Sequence, residues 1–110
     1  MPRRGHLGEF EHLVILALLR LGHRAYGVTV RREIARRVGR EVSIGAIYAT
    51  LERLESKGYV KSALGEATPE RGGRSKRFFR ITAKGMSALE ETHRALARMT
   101  RGLALIRSFS

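Results

Sequence analysis

The 110-residue sequence contains no cysteine, which excludes disulfides, iron–sulfur clusters and zinc sites built from thiolates. It also lacks a membrane-length apolar run, because the longest, Leu13 to Leu19, has seven residues and a span needs about twenty. The first residues, Met-Pro-Arg-Arg-Gly-His, do not lead into a secretory signal with a cleavage site. We therefore expect a soluble, cytoplasmic protein that does not act at a membrane.

Signatures of catalysis and of metal binding are missing as well. The four histidines, at positions 6, 12, 23 and 93, show no metal-ligand spacing and no carboxylate cluster surrounds them. No glycine-rich phosphate loop and no nucleophile motif occurs. The sequence therefore predicts no enzyme activity, no cofactor and no metal, and we expect packing or surface roles for His12 and His93.

Acidic residues are scarce relative to basic ones. Ten Asp and Glu against 22 Lys and Arg give a net charge of +12 and a pI of about 11.5. A folded domain this basic repels itself unless it binds something acidic. Nucleic acid is the first candidate partner and an anionic membrane surface the second. A membrane-surface protein would need a basic amphipathic helix with bulky apolar anchors, and the apolar stripe of the basic helix over residues 26–38 is needed for the core. With 43% hydrophobic residues the chain is not simply a disordered polycation.

What the sequence does contain is an ordered series of helical and strand patterns. We predict a basic arm, three helices, two strands and a long final helix, at residues 1–8, 9–21, 26–38, 44–57, 59–64, 77–82 and 83–107. This order predicts a mainly α fold with a small β-hairpin, the winged helix-turn-helix. The DNA-binding domain would span residues 9–82, and residues 83–110 would form a dimerisation helix with a short tail.

In a helix-turn-helix, the second helix of the motif enters the major groove, and here it is the helix over residues 44–57. Its predicted outer face is made of small residues, and Arg53 is the only long hydrogen-bond donor on it. Arg53 could reach guanine or a phosphate; the alternative is a solvated residue paired with an acidic neighbour. For Tyr48 we expect a ring packed on the core and a hydroxyl on a phosphate. The predicted DNA contacts of this helix are Ser43, Gly45, Ala46, Tyr48, Ala49, Thr50 and Arg53.

Basic residues also crowd the hairpin around Gly72-Gly73. We predict that Arg71, Arg74, Lys76 and Arg77 contact the DNA backbone or the minor groove. The alternative is an ordinary solvated run of charges. Strand alternation sends one of Phe78 and Phe79 into the core.

Two helices carry more apolar surface than one small core can cover. Helix 1 is apolar on nearly its whole circumference from Leu13 onward, and the final helix repeats leucine every seven residues. We therefore expect a homodimer, with predicted contacts at Phe10, Val14, Leu89, Leu96, Met99, Leu103 and Ile106. A pocket for an unidentified small-molecule effector could lie among Phe10, Val14, Leu96 and Met99, although apolar packing without a pocket is the simpler interpretation.

The segment Gly45-Ala-Ile-Tyr-Ala-Thr-Leu-Glu-Arg-Leu-Glu-Ser-Lys-Gly58 resembles the PadR family of bacterial transcriptional regulators. Residues 7–19, Ala25-Tyr-Gly27 and residues 72–85 resemble the family's first helix, the start of its second helix and its wing, so the likeness covers about residues 7–107. It implies a repressor that binds a palindromic operator as a dimer, the last helix of each chain packing on the partner's N-terminal region. It assigns DNA contacts to Ser43, Tyr48, Thr50, Arg53, Arg74, Lys76 and Arg77.

The sequence departs from the family pattern at a few positions. Ala49 stands where many members have a proline, and Phe78 and Phe79 stand where paired tyrosines are common. The single final helix is typical of the shorter branch. Some short members bind flat aromatic drugs between tryptophans, a mode that this tryptophan-free chain does not favour.

Two alternatives to a sequence-specific regulator stay open. An RNA-binding winged helix would be expected to expose aromatic residues for stacking on unpaired bases. An architectural protein that binds DNA with low sequence preference is compatible with the small outer face of the helix over residues 44–57.

Overall fold

The computed structural model describes residues 7–65 and 76–103. The elements are α1 (Glu9–Leu21), a 3-10 turn (Gly22–Arg24), α2 (Gly27–Val38), α3 (Ile44–Ser56), β1 (Val60–Leu64), β2 (Arg77–Ile81) and α4 (Ala83–Thr100). The predicted mainly helical fold with one small antiparallel hairpin is confirmed. The first three helices and both strands agree with the predicted ranges to within one residue at each end.

Local sequence signals account for where the helices begin. Ser43 precedes α3, and its hydroxyl oxygen accepts a hydrogen bond from the Ala46 amide at 3.0 Å. Thr82 does the same for α4, accepting from the Gly85 amide at 3.0 Å. Such caps satisfy amide groups that have no partner within the helix.

The first residue that the structure describes already belongs to the folded core. Leu7 is buried, and its amide donates to the Thr92 hydroxyl of α4 at 2.9 Å. The predicted basic arm over residues 1–8 therefore does not extend to Leu7, which belongs to the folded body. Residues 1–6, with the rest of that arm, lie outside the described residues.

Helices α1, α2 and α3 enclose the core, and the wing closes one side of it. Its largest fully buried side chains are Val14, Ile15, Val30, Ile47, Leu51, Leu54, Val60 and Phe79. Ile47, Leu51 and Leu54 form the side of α3 that faces this core. Each buried aliphatic side chain contributes about 1.5–3 kcal/mol relative to an exposed one, so this side fixes the rotation of α3.

The wing is an antiparallel pair in which Ser62 lies opposite Phe79 and Ala63 opposite Phe78. Phe79 is buried and Phe78 half-buried, as the alternation predicts. A third short segment joins this pair: Tyr26 forms an isolated bridge with Phe78, and the Phe79 amide donates to the Ala25 carbonyl at 2.9 Å. The wing is therefore attached to the start of α2.

The final helix is shorter than predicted. It ends at Thr100, and Gly102 follows with φ of 83°. A left-handed glycine just beyond a helix is a common terminator, and the heptad pattern masked this signal. Leu103 consequently lies beyond the helix, and Ile106 lies outside the described residues.

Candidate nucleic-acid interface

The outer face of α3 is exposed along the length of the helix. Its exposed residues are Gly45, Ala46, Ala49, Glu52, Arg53 and Ser56, the set that the sequence placed opposite the core. Small side chains over the first two turns allow the helix backbone to approach another surface closely. Ser43 is also exposed, and among residues 7–65 and 76–103 its hydroxyl makes no hydrogen bond besides the cap bond that its oxygen accepts.

Thr50 is a correction to the predicted contacts. Its side chain is buried, and its hydroxyl oxygen faces Arg53 Nη2 at 3.4 Å. A helical projection places Thr50 on the flank of α3, but only 3% of the residue is exposed. A buried hydroxyl is not accessible to a phosphate, so Thr50 acts within the protein.

Tyr48 connects α3 with α2 and with the wing. Its ring is half-buried, its centroid lies 6.5 Å from that of Phe79, and it lies against the first residue of α2. A Cβ placed on Gly27 would be 2.4 Å from Tyr48 Cζ, so position 27 must be glycine for this ring to fit. The packed ring agrees with the expectation from the sequence, and the hydroxyl-to-phosphate contact stays a prediction.

For Arg53 the structure shows the acidic partner of the second alternative, and its contact with DNA stays a prediction. Its Nε donates to Glu11 Oε2 at 3.3 Å, so it has an acidic partner, although on α1 rather than on its own helix. Its side chain is nevertheless 51% exposed. The side chain is thus anchored at Nε by Glu11 while about half of it remains exposed.

Glu11 is a buried acidic residue beside this face that the sequence did not single out as part of the site. It is buried, and its Oε2 also accepts from Lys57 Nζ at 2.8 Å. Burial raises the pKa of Glu11, but hydrogen bonds from Lys57, the Gly8 amide and Arg53 outweigh it and hold the pKa below its ordinary value. The available signal was an acidic residue one turn before the buried positions Val14 and Ile15.

In the wing, Arg77 is used within the protein. Its Nη2 lies 2.8 Å from Glu55 Oε1 of α3, and its Nε donates to Ser62 Oγ at 3.0 Å. These contacts tether β2 to α3. Lys76 places its ammonium 4.8 Å from the Tyr26 ring centroid, while Arg71 and Arg74 lie outside the described residues.

The outward side of the hairpin carries a second group of basic residues that the sequence reading did not select. Lys61 lies directly opposite Arg80, and both border an open groove of about 350 Å³ that His23 also lines. Within residues 7–65 and 76–103, neither Lys61 nor Arg80 forms an ion pair. The wing is therefore basic on this side as well.

The residues predicted for a dimer interface separate into two groups. Val14 and Leu89 are buried in this chain's own core, so they offer no surface to a second chain and Val14 does not line an effector pocket. The sequence had assigned them from helical periodicity, which does not distinguish the two sides of a helix that are both apolar. Leu96, Met99 and Leu103 are 53%, 77% and 49% exposed, and Phe10 is half-buried beneath the Arg40 guanidinium.

Comparison with known protein families shows to which family a chain with this geometry belongs. A model of the transcriptional regulator PadR-like family matches residues 15–91, more than half of the chain. The chain belongs to the PadR-like family. Members of this family are DNA-binding transcriptional regulators and not enzymes, so the predicted class of protein is confirmed.

Individual relatives agree with this assignment. The transcriptional regulator Rv3488 of Mycobacterium tuberculosis is 37% identical over 76 residues, which cover 69% of this chain and 66% of that protein. The chain therefore matches a little less than two thirds of that relative's length. A PadR-like transcription factor from Bacteroides fragilis superposes with a TM-score of 0.71 at 22% identity, over 88% of each chain.

A winged-helix DNA-binding protein, F93 from STIV, superposes with a TM-score of 0.66 at 22% identity, covering 88% of this chain and 97% of that one. At such identities the two structural neighbours establish the winged-helix fold. In the described part of the chain, no helix has the length and apolar character needed to cross a membrane. The same residues bring together no group of three or more potential metal ligands.

Proposed function

We propose that this PadR-like regulator is a repressor that binds a palindromic operator as a homodimer. In each chain α3 lies in the major groove, and the basic wing lies on the backbone or in the minor groove. The observation that supports this proposal most directly is the outer face of α3, which exposes small residues over its first two turns and the Arg53 side chain beyond them.

The chemistry of this face suits duplex DNA. The major groove is wide enough for a helix, and Ala46 and Ala49 leave no long side chain to hold the α3 backbone away from the bases. The free amides at the start of α3 suit a phosphate, and an arginine fork suits guanine O6 and N7. With one long donor on the face, specificity depends on close approach, on the wing and on the spacing of two half-sites.

The homodimer part of the proposal is supported by apolar surface at the end of the described chain. Leu96 and Met99 are exposed on α4 and Leu103 just beyond it. Apolar side chains clustered in this way typically mark an interface. Two chains related by a two-fold axis would place two copies of α3 on two half-sites of the same operator.

The test uses an inverted repeat from the DNA upstream of the protein's own gene. Binding to this duplex is measured in competition with a random duplex of equal length at one physiological salt concentration. We expect the repeat to be preferred by at least ~10³, and a preference below about a hundred would favour an architectural role. In transcription assays from the same promoter, added protein should lower transcript yield; a rise would contradict the repressor assignment.

Arg53→Ala tests the contact itself. We expect it to weaken binding to the preferred duplex by about 1–3 kcal/mol and to reduce the preference over random DNA. Arg94→Ala is the matched control, because it removes the same charge from an exposed position on α4. It should affect both duplexes equally, and identical behaviour of the two variants would remove Arg53 from base recognition.

A further inference from the structure

The carboxylate of Glu11 is buried and hydrogen-bonded by neighbouring residues. The residue is 6% exposed although it carries a charge. Oε1 accepts from the Gly8 amide at 2.9 Å, and Oε2 accepts from Lys57 at 2.8 Å and from Arg53 at 3.3 Å. Both carboxylate oxygens are therefore in use. Of the three donors, Arg53 belongs to α3 and Lys57 directly follows its last residue.

A buried carboxylate is unfavourable unless it is paired and hydrogen-bonded. The contact with Gly8 is sufficient to cap α1, and an exposed glutamate could make that contact equally well. The burial of Glu11 and its contacts with Arg53 and Lys57 have another consequence. They form a fixed connection between α1 and the outer edge of α3. This connection ends at the one long hydrogen-bond donor of the exposed face of α3.

The geometry of the contact leaves Arg53 usable. Glu11 binds Nε, while Nη2 faces Thr50 Oγ1 at 3.4 Å. A guanidinium held by its Nε edge keeps hydrogens on its terminal nitrogens for a second acceptor. An arginine side chain loses considerable rotamer freedom when it binds, and one that is already ordered loses less at that step.

We propose that Glu11 is a positioning residue for sequence recognition: its carboxylate, presented by α1, holds the Arg53 guanidinium in the orientation that reads the operator. The proposal rests on the proposed function, in which Arg53 contacts bases. Glu11 itself touches no DNA, and Thr50, whose hydroxyl is buried, supports the same guanidinium from within α3.

A matched control exists in the same chain. Glu33 is buried to a similar degree, 8% exposed, and also has two cationic partners, Arg36 and Arg37. All three residues belong to α2, and both ion pairs lie within that helix. Glu11→Gln and Glu33→Gln therefore remove the same charge from equally buried positions, and only the first reaches Arg53.

The experiment measures the ratio of dissociation constants for random and preferred duplexes, at one salt concentration and below the unfolding temperature of each variant. We expect Glu11→Gln to lower this ratio about tenfold, which corresponds to losing part of one arginine–guanine contact. Glu33→Gln should leave it within about twofold. In an Arg53→Ala background, Glu11→Gln should cause no further loss, because residues that act through one contact are not additive.

The outcomes distinguish a failure of the proposed function from a failure of the positioning role of Glu11. If Arg53→Ala does not change the ratio, the proposed function fails at this residue. If Arg53→Ala lowers the ratio but Glu11→Gln behaves like Glu33→Gln, the positioning role is wrong and the proposed function stands. A further loss from Glu11→Gln in the Arg53→Ala background would also overturn the positioning role.

A second variant covers the case in which Glu11→Gln does not fold. Glu11→Asp keeps the charge but shortens the side chain, so the carboxylate is drawn back from Arg53. The same loss of ratio is expected. An unchanged ratio for Glu11→Asp would overturn the positioning role.

Discussion

The ring of Tyr48 occupies the space that a side chain at position 27 would need. A Cβ on Gly27 would lie 2.4 Å from Tyr48 Cζ and 2.5 Å from its hydroxyl oxygen. Contacts this short do not occur, so the glycine at the start of α2 is required by an aromatic residue on α3. The pair sets how closely the two helices of the DNA-binding motif approach at this point.

Gly27→Ala should therefore destabilise the protein. Forcing one methyl group into a packed contact typically costs about 1–3 kcal/mol, and thermal or urea unfolding would measure the loss. Gly45→Ala is the control, because the nearest atom to its Cβ would be Ser43 Oγ at 3.9 Å. There, alanine should stabilise α3 by roughly 0.5–1 kcal/mol. Equal stability of the two variants would show that the Tyr48 ring can move aside.

The parts of the fold that depend on neighbouring residues in sequence could be predicted well. The cap at Ser43 and the buried stripe of Ile47, Leu51 and Leu54 follow from residue type and helical period alone. Strand alternation likewise predicts that one of Phe78 and Phe79 points inward, although it does not say which. These features place α3 and the wing correctly without any knowledge of tertiary contacts.

The parts that depend on distant residues could not be predicted. The contact of Glu11 with Arg53 joins positions 42 residues apart, and helical periodicity says nothing about which acid meets which base across a core. Thr50 was misplaced for a related reason, since a helical projection gives an angle but not the neighbour that covers it. Val14 and Leu89 were likewise assigned to an interface because an apolar residue looks the same in either environment.

The two histidines that the sequence assigned to packing or surface roles contact each other across α1 and α4. His12 Nε2 and His93 Nε2 are 2.8 Å apart, so one ring donates and the other accepts. Burial, and then the charge of His93, hold the pKa of His12 below its ordinary value of 6.5. The unfolded chain therefore binds protons more readily than the folded one as the pH falls below about 6.5.

Because the unfolded chain binds more protons than the folded one, we expect the free energy of unfolding to decrease as the pH is lowered from about 7.5 to about 5.5. This window lies above the titration of the glutamates. Urea unfolding at several pH values measures this slope. His12→Gln should flatten it, because the group that resists protonation is gone. Parallel curves for the two proteins would show that the contact between α1 and α4 does not control the slope.

Lys61 and Arg80 place two positive charges directly opposite each other on the hairpin. Like charges in this arrangement destabilise a sheet, and opposite charges stabilise it by roughly 0.2–1 kcal/mol. Lys61→Glu should therefore raise the melting temperature. Arg31→Glu, at an exposed position of α2, changes the net charge equally and serves as the control. If both variants shift the melting temperature alike, the gain comes from lower net charge and not from the cross-strand pair.

Leu96→Glu tests the proposed dimer without disturbing the core of the chain. Leu96 is 53% exposed on α4, so a charged side chain there can reach water in the monomer. In a dimer that buries this surface, the same charge would lie in an apolar interface without a partner, which is strongly unfavourable. We therefore expect monomers in sedimentation equilibrium at concentrations where the unmodified protein is dimeric.

Leu64→Glu is the matched control for that experiment, because Leu64 is an exposed leucine on β1, 74% accessible and far from α4 in the sequence. It should leave the association state unchanged. An unchanged dimer for Leu96→Glu would place the interface elsewhere. If the dimer is lost, binding to a two-half-site duplex should weaken much more than binding to a single half-site, because only the two-site complex gains from holding two copies of α3 together.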